Sequence, residues 1–391
     1  MPRSFLSLPP SLLVLLLALP GPLPAAAQDP GTPPPPAPST LAEDGEPVPP
    51  SEPLVEDPIG VPMRVRDFTF PSFMLLDFGP LPAAPLGRGR WAFEGVYSRV
   101  NDFQMSETVR DYLYERRRGQ RAKLDAADFD HILSLPRGES YYIDGEFAFY
   151  ELTLAYGITA HLDLGITARY IDFLGGALDG TIFDFHDRFG FGQQGRDAVL
   201  DHQFQIVLGD RGREILLLDG APDGGFADPA LYLRLALPDD GKGWRFSLAA
   251  GYKPSLADSA VTSGSSDIGI SLAADRRWRR NAWIANLSIV DPGPFGIQEL
   301  DPGPLPAVHL TWIHHFRSWP STRFFLQALA AEHVLAEYTD SALAKPEFQM
   351  SFGLKWDTSV GVLGVALTEN LFNYANTPDI GVHASWGYLT R

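Results

Sequence analysis

The chain has 391 residues, a net charge of −17 and no cysteine. That length holds one large all-β domain or two ordinary domains, and the acidity argues against nucleic acid as a partner. The missing thiols exclude disulfides, thiolate metal sites and a lipid-anchoring cysteine.

Met1–Ala27 reads as a secretory signal. Arg3 supplies the positive end, Ser11–Pro20 the apolar core and Ala25–Ala27 the small-residue cleavage site. The apolar core is too short to cross a bilayer as a helix, which takes about twenty apolar residues. Residues 28–62 form a Pro-rich linker (PGTPPPPAPST, EDGEPVPPSEP) of extended polyproline type, with no core of its own. Residues 63–90 are more apolar (FTFPSFMLLDFGPLPAAPLG), but Pro and Gly interrupt them too often for a long strand or helix. This segment is expected to enter or cap the following domain from the periplasmic side.

Residues 91–391 consist of alternating segments of about ten residues, the length of a tilted membrane strand. In Leu162–Tyr170, Leu162, Leu164, Ile166, Ala168 and Tyr170 share one face, and Asp163, Gly165, Thr167 and Arg169 the other. Trp244–Lys253 and Glu347–Trp356 alternate as cleanly. Weaker segments are Trp91–Val100, Tyr142–Tyr156, Pro229–Leu237, Asp267–Arg276, Ala282–Ile289, Ala307–Arg317, Thr322–Val334, Val360–Thr368 and Ile380–Thr390. The connections between them alternate strictly between short and long, as in a meander barrel with tight periplasmic turns and longer external loops. Aromatic residues end the apolar stripes (Trp91, Tyr97, Tyr156, Tyr170, Trp244, Tyr252, Trp356, Trp386, Tyr388), as in an interfacial girdle. The expected fold is all-β: a closed antiparallel up-and-down transmembrane β-barrel of about twelve strands with a helix-containing external loop and both termini periplasmic. Gln203–Gly209 and Glu214–Asp219 are read as a hairpin inside the long connection between the third and fourth strands, because counting them as spanning strands spoils the parity. The C-terminus departs from the usual aromatic ending of such barrels. Trp386 and Tyr388 alternate properly, but Arg391 is last.

With the apolar face outward, a charged face turns inward. Its lumen-lining candidates are Asp163, Arg169, Arg234, Arg245, Lys253, Asp267, Arg317, Arg323, Glu347 and Lys355. They read either as a pore lining that sorts solutes by charge or as ion pairs filling a narrow lumen. In the first long loop, Arg116, Arg117, Arg118, Arg121 and Lys123 stand near Asp125, Asp128 and Asp130. A solvated helix face is preferred there over contact with lipopolysaccharide phosphates.

The connection 173–227 is the most distinctive. Leu178, Ile182, Phe185 and Phe189 recur at helical spacing, and Gly190, Gly192 and Gly195 end the pattern. Asp184, His186, Asp187, Arg196 and Asp197 are candidates for a constriction or lid at the barrel mouth. Neighbours on one helix point in different directions, so no metal is assigned to Asp184, His186 and Asp187. The run LDGTIFDFHDRFGFGQQGRD, with the preceding LDLGITARY strand, resembles an uncharacterised domain-of-unknown-function family of proteobacterial envelope proteins, expected to be outer-membrane barrels. The likeness is strongest over residues 70–237 and looser towards the C-terminus. It implies fold and location and adds no mechanism.

The functional expectation is a channel or binding barrel for small solutes in the bacterial outer membrane, with residues 173–227 as constriction or lid. A structural barrel presenting its loops is the alternative. A lipid-acting enzyme ranks last, since His314 faces outward with no outward Ser at matching depth on an adjacent strand. Expected partners are outer-membrane lipid and lipopolysaccharide, the barrel insertion machinery and a small solute, with no nucleic acid and no cofactor.

Overall fold

A computed structural model of the chain describes residues 63–391 apart from 191, 239–242, 257–258, 296–301, 337–342, 344, 371–376 and 391. The expected signal and Pro-rich linker lie outside the described residues. Strand period governs what is buried. In Leu162–Leu174, Asp163, Thr167, Arg169, Ile171 and Phe173 are buried while Leu164 and Ile166 are exposed. The polar set therefore faces the inside of the barrel and the apolar set faces out.

Fourteen strands are described: β1 Trp91–Met105, β2 Tyr141–Gly157, β3 Leu162–Leu174, β4 Gln205–Asp210, β5 Arg213–Asp219, β6 Gly225–Ala236, β7 Trp244–Lys253, β8 Asp267–Trp278, β9 Asn281–Pro292, β10 Leu305–His315, β11 Thr322–Ala331, β12 Glu347–Thr358, β13 Gly361–Glu369 and β14 Ile380–Leu389. β1 pairs with both β14 and β2, and β3 pairs with β6, so all except β4 and β5 close into a twelve-stranded antiparallel ring. Short and long connections alternate around it as expected. The first and last strands meet at the short-turn end, where Ala92 pairs with Leu389 and Trp91 with Tyr156.

β1 and β2 run further than the sequence pattern indicated, to Met105 and from Tyr141. Their extra length rises past the rim at the long-loop end. There β2 exchanges partners: β3 pairs with Glu146–Gly157, and β4 with Tyr141–Asp144. The expected β4–β5 hairpin thus extends the wall above β3 and adds nothing to the ring. The β3–β6 register shifts between Thr167 and Arg169, opposite Asp228 and Pro229. Pro229 has no N–H to give to a ladder, and a bulge accommodates it.

Three helices cap the projection. α1 (Glu107–Arg117) starts at Ser106, whose hydroxyl accepts the Val109 N–H at 3.1 Å. α2 (Ala126–Ser134) starts in a capping box between Asp125 and Asp128. α3 (Asp179–Phe189) ends at Gly190, which takes the left-handed conformation at φ 75°. Val109, Leu113, Phe129 and Ile132 pack on Phe103, Tyr142 and Val207, which point away from the lumen. The basic residues of α1 are spent on local acids: Arg116 on Asp125 and Asp128, and Arg117 on Asp128. Arg121 pairs with Asp201 and Lys123 with Asp219. The face is locally paired, and it is only partly solvated, since Asp128 is buried beneath Arg116 and Arg117.

Outward residues form an apolar belt, with Leu152, Ile166, Leu233, Leu248, Ile270, Leu272, Val365 and Leu367 all exposed. At the long-loop end, Tyr97, Tyr150, Tyr170 and Phe226 make a row across β1, β2, β3 and β6, with centroids 5.2, 6.1 and 5.3 Å apart. At the short-turn end, Trp91 packs on Tyr156 at 4.6 Å. Among the described residues, no helix is long and apolar enough to cross a membrane.

Candidate functional site: a plug in the lumen

Residues 63–86 run through the barrel interior. Apart from a 3₁₀ turn at Ser72–Met74 they have no regular structure, yet Met63, Val65, Phe68, Phe70, Phe73, Leu75, Leu76 and Phe78 are buried. A buried irregular chain needs partners for its N–H and C=O groups. The inward faces of the strands provide them. Asp102 accepts the Phe70 N–H at 3.1 Å, Asp267 the Leu76 N–H at 2.8 Å, Asp275 the Ala83 N–H at 2.8 Å and Asp163 the Leu86 N–H at 3.2 Å. Gln327 donates to the Val65 carbonyl at 2.6 Å and Gln349 to that of Arg66 at 2.8 Å. Arg169 donates to the Phe73 and Leu75 carbonyls at 2.7 and 3.4 Å. Tyr232 serves Asp77 at 2.7 Å, Asn286 serves Leu81 at 2.8 Å and Arg234 serves Pro82 at 2.8 Å.

These contacts redefine the inward charges. Asp163, Arg169, Arg234, Asp267 and Glu347 touch the plug, the last through the Ser72 hydroxyl at 3.0 Å. Arg245 acts one step back, holding Asp275 at 2.7 Å. Lys253 faces Asp267 at 3.4 Å and donates to Ser263 and the Ser265 carbonyl, tying down the loop after β7. Arg323 pairs with Asp357, and Lys355 is buried opposite Arg323 in the β11–β12 register. Arg317 departs from the expectation: β10 ends at His315, and Arg317 is exposed in the short turn.

Phe78, 1% exposed, sits in a close-fitting socket. Gly251 and Gly269 pair across β7 and β8 with both faces inward. A Cβ at either position would come within 2.9 and 2.8 Å of the Phe78 ring. Two neighbouring residues without side chains thus make its socket, and Tyr232 stands edge-on at 5.7 Å. Towards the long-loop end the plug merges into an apolar core in which Phe68, Phe70 and Phe73 meet Phe147, Phe149, Phe204, Ile206 and Leu208.

Two cavities flank this divider. One, about 80 Å³, lies at the short-turn end between the plug and β1, β2, β3 and β6, lined by Arg64, Leu81, Leu86, Glu94, Thr153, Asp163, Tyr232 and Arg234. The other, about 50 Å³, lies at the long-loop end against β9, β10 and β11, lined by Asp67, Asp77, Phe78, Leu305, His309, Leu329 and Glu332.

The connection 173–227 sits elsewhere than expected. Its helix α3 is present, but the segment packs on the outward face of the β1–β2 projection. The Leu178 N–H donates to Glu146 at 2.7 Å, and Asp179 accepts from Asn101 at 2.8 Å. Arg196 is buried among Asp179, Asp379 and Asn101, 4.1 Å above the Phe103 ring. Asn101, Phe103 and Glu146 have the opposite parity from the lumen set. Asp197 accepts from the Tyr114 hydroxyl at 2.8 Å. Asp184 and Asp187 are exposed, and His186 meets the Gly192 carbonyl of its own loop at 3.1 Å. Of this connection, Phe204, Ile206 and Leu208 reach the inner core. The parity of β1 and β2 past residue 101 was the signal for this, since polar Asn101, Asp144 and Glu146 occupy belt-facing positions. Among the described residues there is no metal-binding group of three or more His, Asp or Glu. Outward His314 bonds Asn281 at 3.0 Å.

Among solved structures, the COG4313 outer membrane channel from Pseudomonas putida F1 is similar at 7% identity and a TM-score of 0.45, covering 79% of this chain and 98% of that one. The P. putida toluene transporter TodX is similar at 10% identity and 0.37, covering 79% and 93%. OmpF of Salmonella typhi, in complex with daunomycin, is similar at 8% identity and 0.30, covering 78% and 98%. No curated protein matches the chain. The family described as "Protein of unknown function (DUF3187)" matches residues 132–390, starting later and reaching further towards the C-terminus than the resemblance in the sequence indicated. The chain therefore belongs to this family of unknown function.

Proposed function

We propose that this protein is an outer-membrane channel for small solutes whose constriction is the plug of residues 63–86. The apolar belt supports the membrane setting, because so wide an exposed apolar surface is unfavourable in water. The secretory signal supports the compartment, and with it the short-turn end, where both strand termini lie, faces the periplasm. The observation that carries the channel reading is the pair of cavities at opposite ends of the lumen, parted by Arg64, Asp77, Phe78 and Tyr232.

Magnitudes favour local opening. Eleven wall-to-plug main-chain hydrogen bonds are named above, each worth about 1 kcal/mol net. Expelling the whole plug therefore costs on the order of 10 kcal/mol before its apolar burial is counted. Turning one ring out of a glycine socket is far cheaper. The test is planar-bilayer conductance of wild type beside Phe78→Ala. Wild type is expected to be mostly closed, and Phe78→Ala to conduct at least several-fold more. If both stay silent while heat-modifiability on a gel shows intact barrels, the chain is a closed scaffold and the channel reading falls.

A further inference from the structure

We infer that the cavity at the long-loop end binds a small molecule with an ammonium head and an apolar body. This deepens the channel reading and rests on it for why such a molecule would arrive there. The cavity, about 50 Å³, exceeds several-fold the roughly 10–15 Å³ that one water occupies. Its apolar walls are Leu76 and Phe78 of the plug and Leu305 and Leu329 of the barrel.

The polar side chains around it are acceptors, or donors already engaged. Ser72 donates to Glu347 at 3.0 Å, and Ser288 to the Ala307 carbonyl at 3.5 Å. Asp67 and Asp77 are carboxylates on the plug, and Glu332 is a third just beyond β11. The cation nearest Asp77 is Arg66, at 3.7 Å, and it is shared with Glu151 at 3.6 Å. His309, also in the lining, is 1% exposed and its Nδ1 has no hydrogen-bond partner. Its Nε2 stands 3.8 Å from Asp77 Oδ1. With the proton on Nε2, turned towards that carboxylate, Nδ1 is left as a lone-pair acceptor.

A ligand here meets acceptors and an excess of negative charge. A carboxylate finds no donor and is repelled. An alcohol gives one hydrogen bond and leaves the charge uncompensated. An ammonium ion supplies several donors and a positive charge, while its hydrocarbon body lies against Leu76, Phe78, Leu305 and Leu329.

The experiment is isothermal titration of the full-length protein in detergent with n-butylammonium, n-butyrate and n-butanol. Butylammonium is expected to bind at least ten-fold tighter than the other two. Asp77→Asn is expected to weaken it at least five-fold. Because Asp77 also accepts plug N–H groups, Glu332→Gln at the rim serves as a second variant, with a two- to three-fold loss expected. Equal binding of the three probes, or full affinity in both variants, overturns the inference. Binding in detergent needs no transport. Selective binding in a barrel that never conducts would overturn the channel reading alone, and conductance without selective binding would overturn only this inference.

Discussion

At Asp163 one carboxylate serves two partners, the Leu86 N–H of the plug and the Arg234 guanidinium of the neighbouring strand. Arg234 in turn reaches the Pro82 carbonyl, so wall and plug share a small network. Removing one member of a buried pair leaves the other charge without a partner, at a cost of about 3–5 kcal/mol. Asp163→Ala is expected to lower the heat-modification temperature accordingly. Adding Arg234→Met should restore much of the loss, since the orphaned charge is gone. If the double variant is no more stable than the single one, the pair does not act as a unit. Gly251 and Gly269 work in the opposite sense, contributing space in place of a bond.

At the scale of elements, the cap is the part with a pH response of known sign. The Asp125 carboxyl is held below its ordinary range, first by the Asp128 N–H and then by Arg116 among its other partners. Asp219 is held down by its hydrogen bonds to Lys123 and Gln205. A depressed carboxyl contributes stability in full above its unfolded value, about 3.9, and loses it as pH falls through the folded value. The amide protection factors of α1 and α2, taken against the intrinsic exchange rate at each pH, should therefore fall below about pH 4, ahead of those in β7–β9. Protection falling in step across cap and barrel would contradict this. The strands, the parity of their connections and the β4–β5 hairpin were legible because period two and turn length are local signals. The seat of residues 173–227 was not. It depends on β1 and β2 overrunning the rim, which places Asn101, Phe103, Asp144 and Glu146 above the belt. Their outward face then accepts a polar, buried partner in Arg196 where lipid-facing chemistry would be expected.

For the whole molecule, the account changes what the inward charges do. From sequence they read as a pore lining or as mutual ion pairs. In the structure, Asp163, Arg169, Arg234 and Asp267 hold the main chain of residues that precede the barrel in sequence. The segment 63–90 was expected to enter or cap the domain, and its apolar residues broken by Pro and Gly fit a chain that is buried but irregular. Its path was hidden because no periodicity marks a segment whose partners lie hundreds of residues away, as Gln349, which donates to the Arg66 carbonyl 283 residues earlier, does. The absence of native cysteine permits a direct test of that path. A Cβ at residue 251 would lie 3.1 Å from the Leu76 Cδ2 and 2.9 Å from the Phe78 ring, so Leu76→Cys with Gly251→Cys, in a Phe78→Ala background that leaves room for the new side chain, brings two thiols close enough for a short-arm cross-linker. The measurement is the cross-linked, folded variant, digested and read by mass spectrometry. A plugged lumen predicts near-complete linkage between the plug peptide and the β7 peptide. Two thiols that remain free, and open to a maleimide in the folded barrel, would contradict the plug.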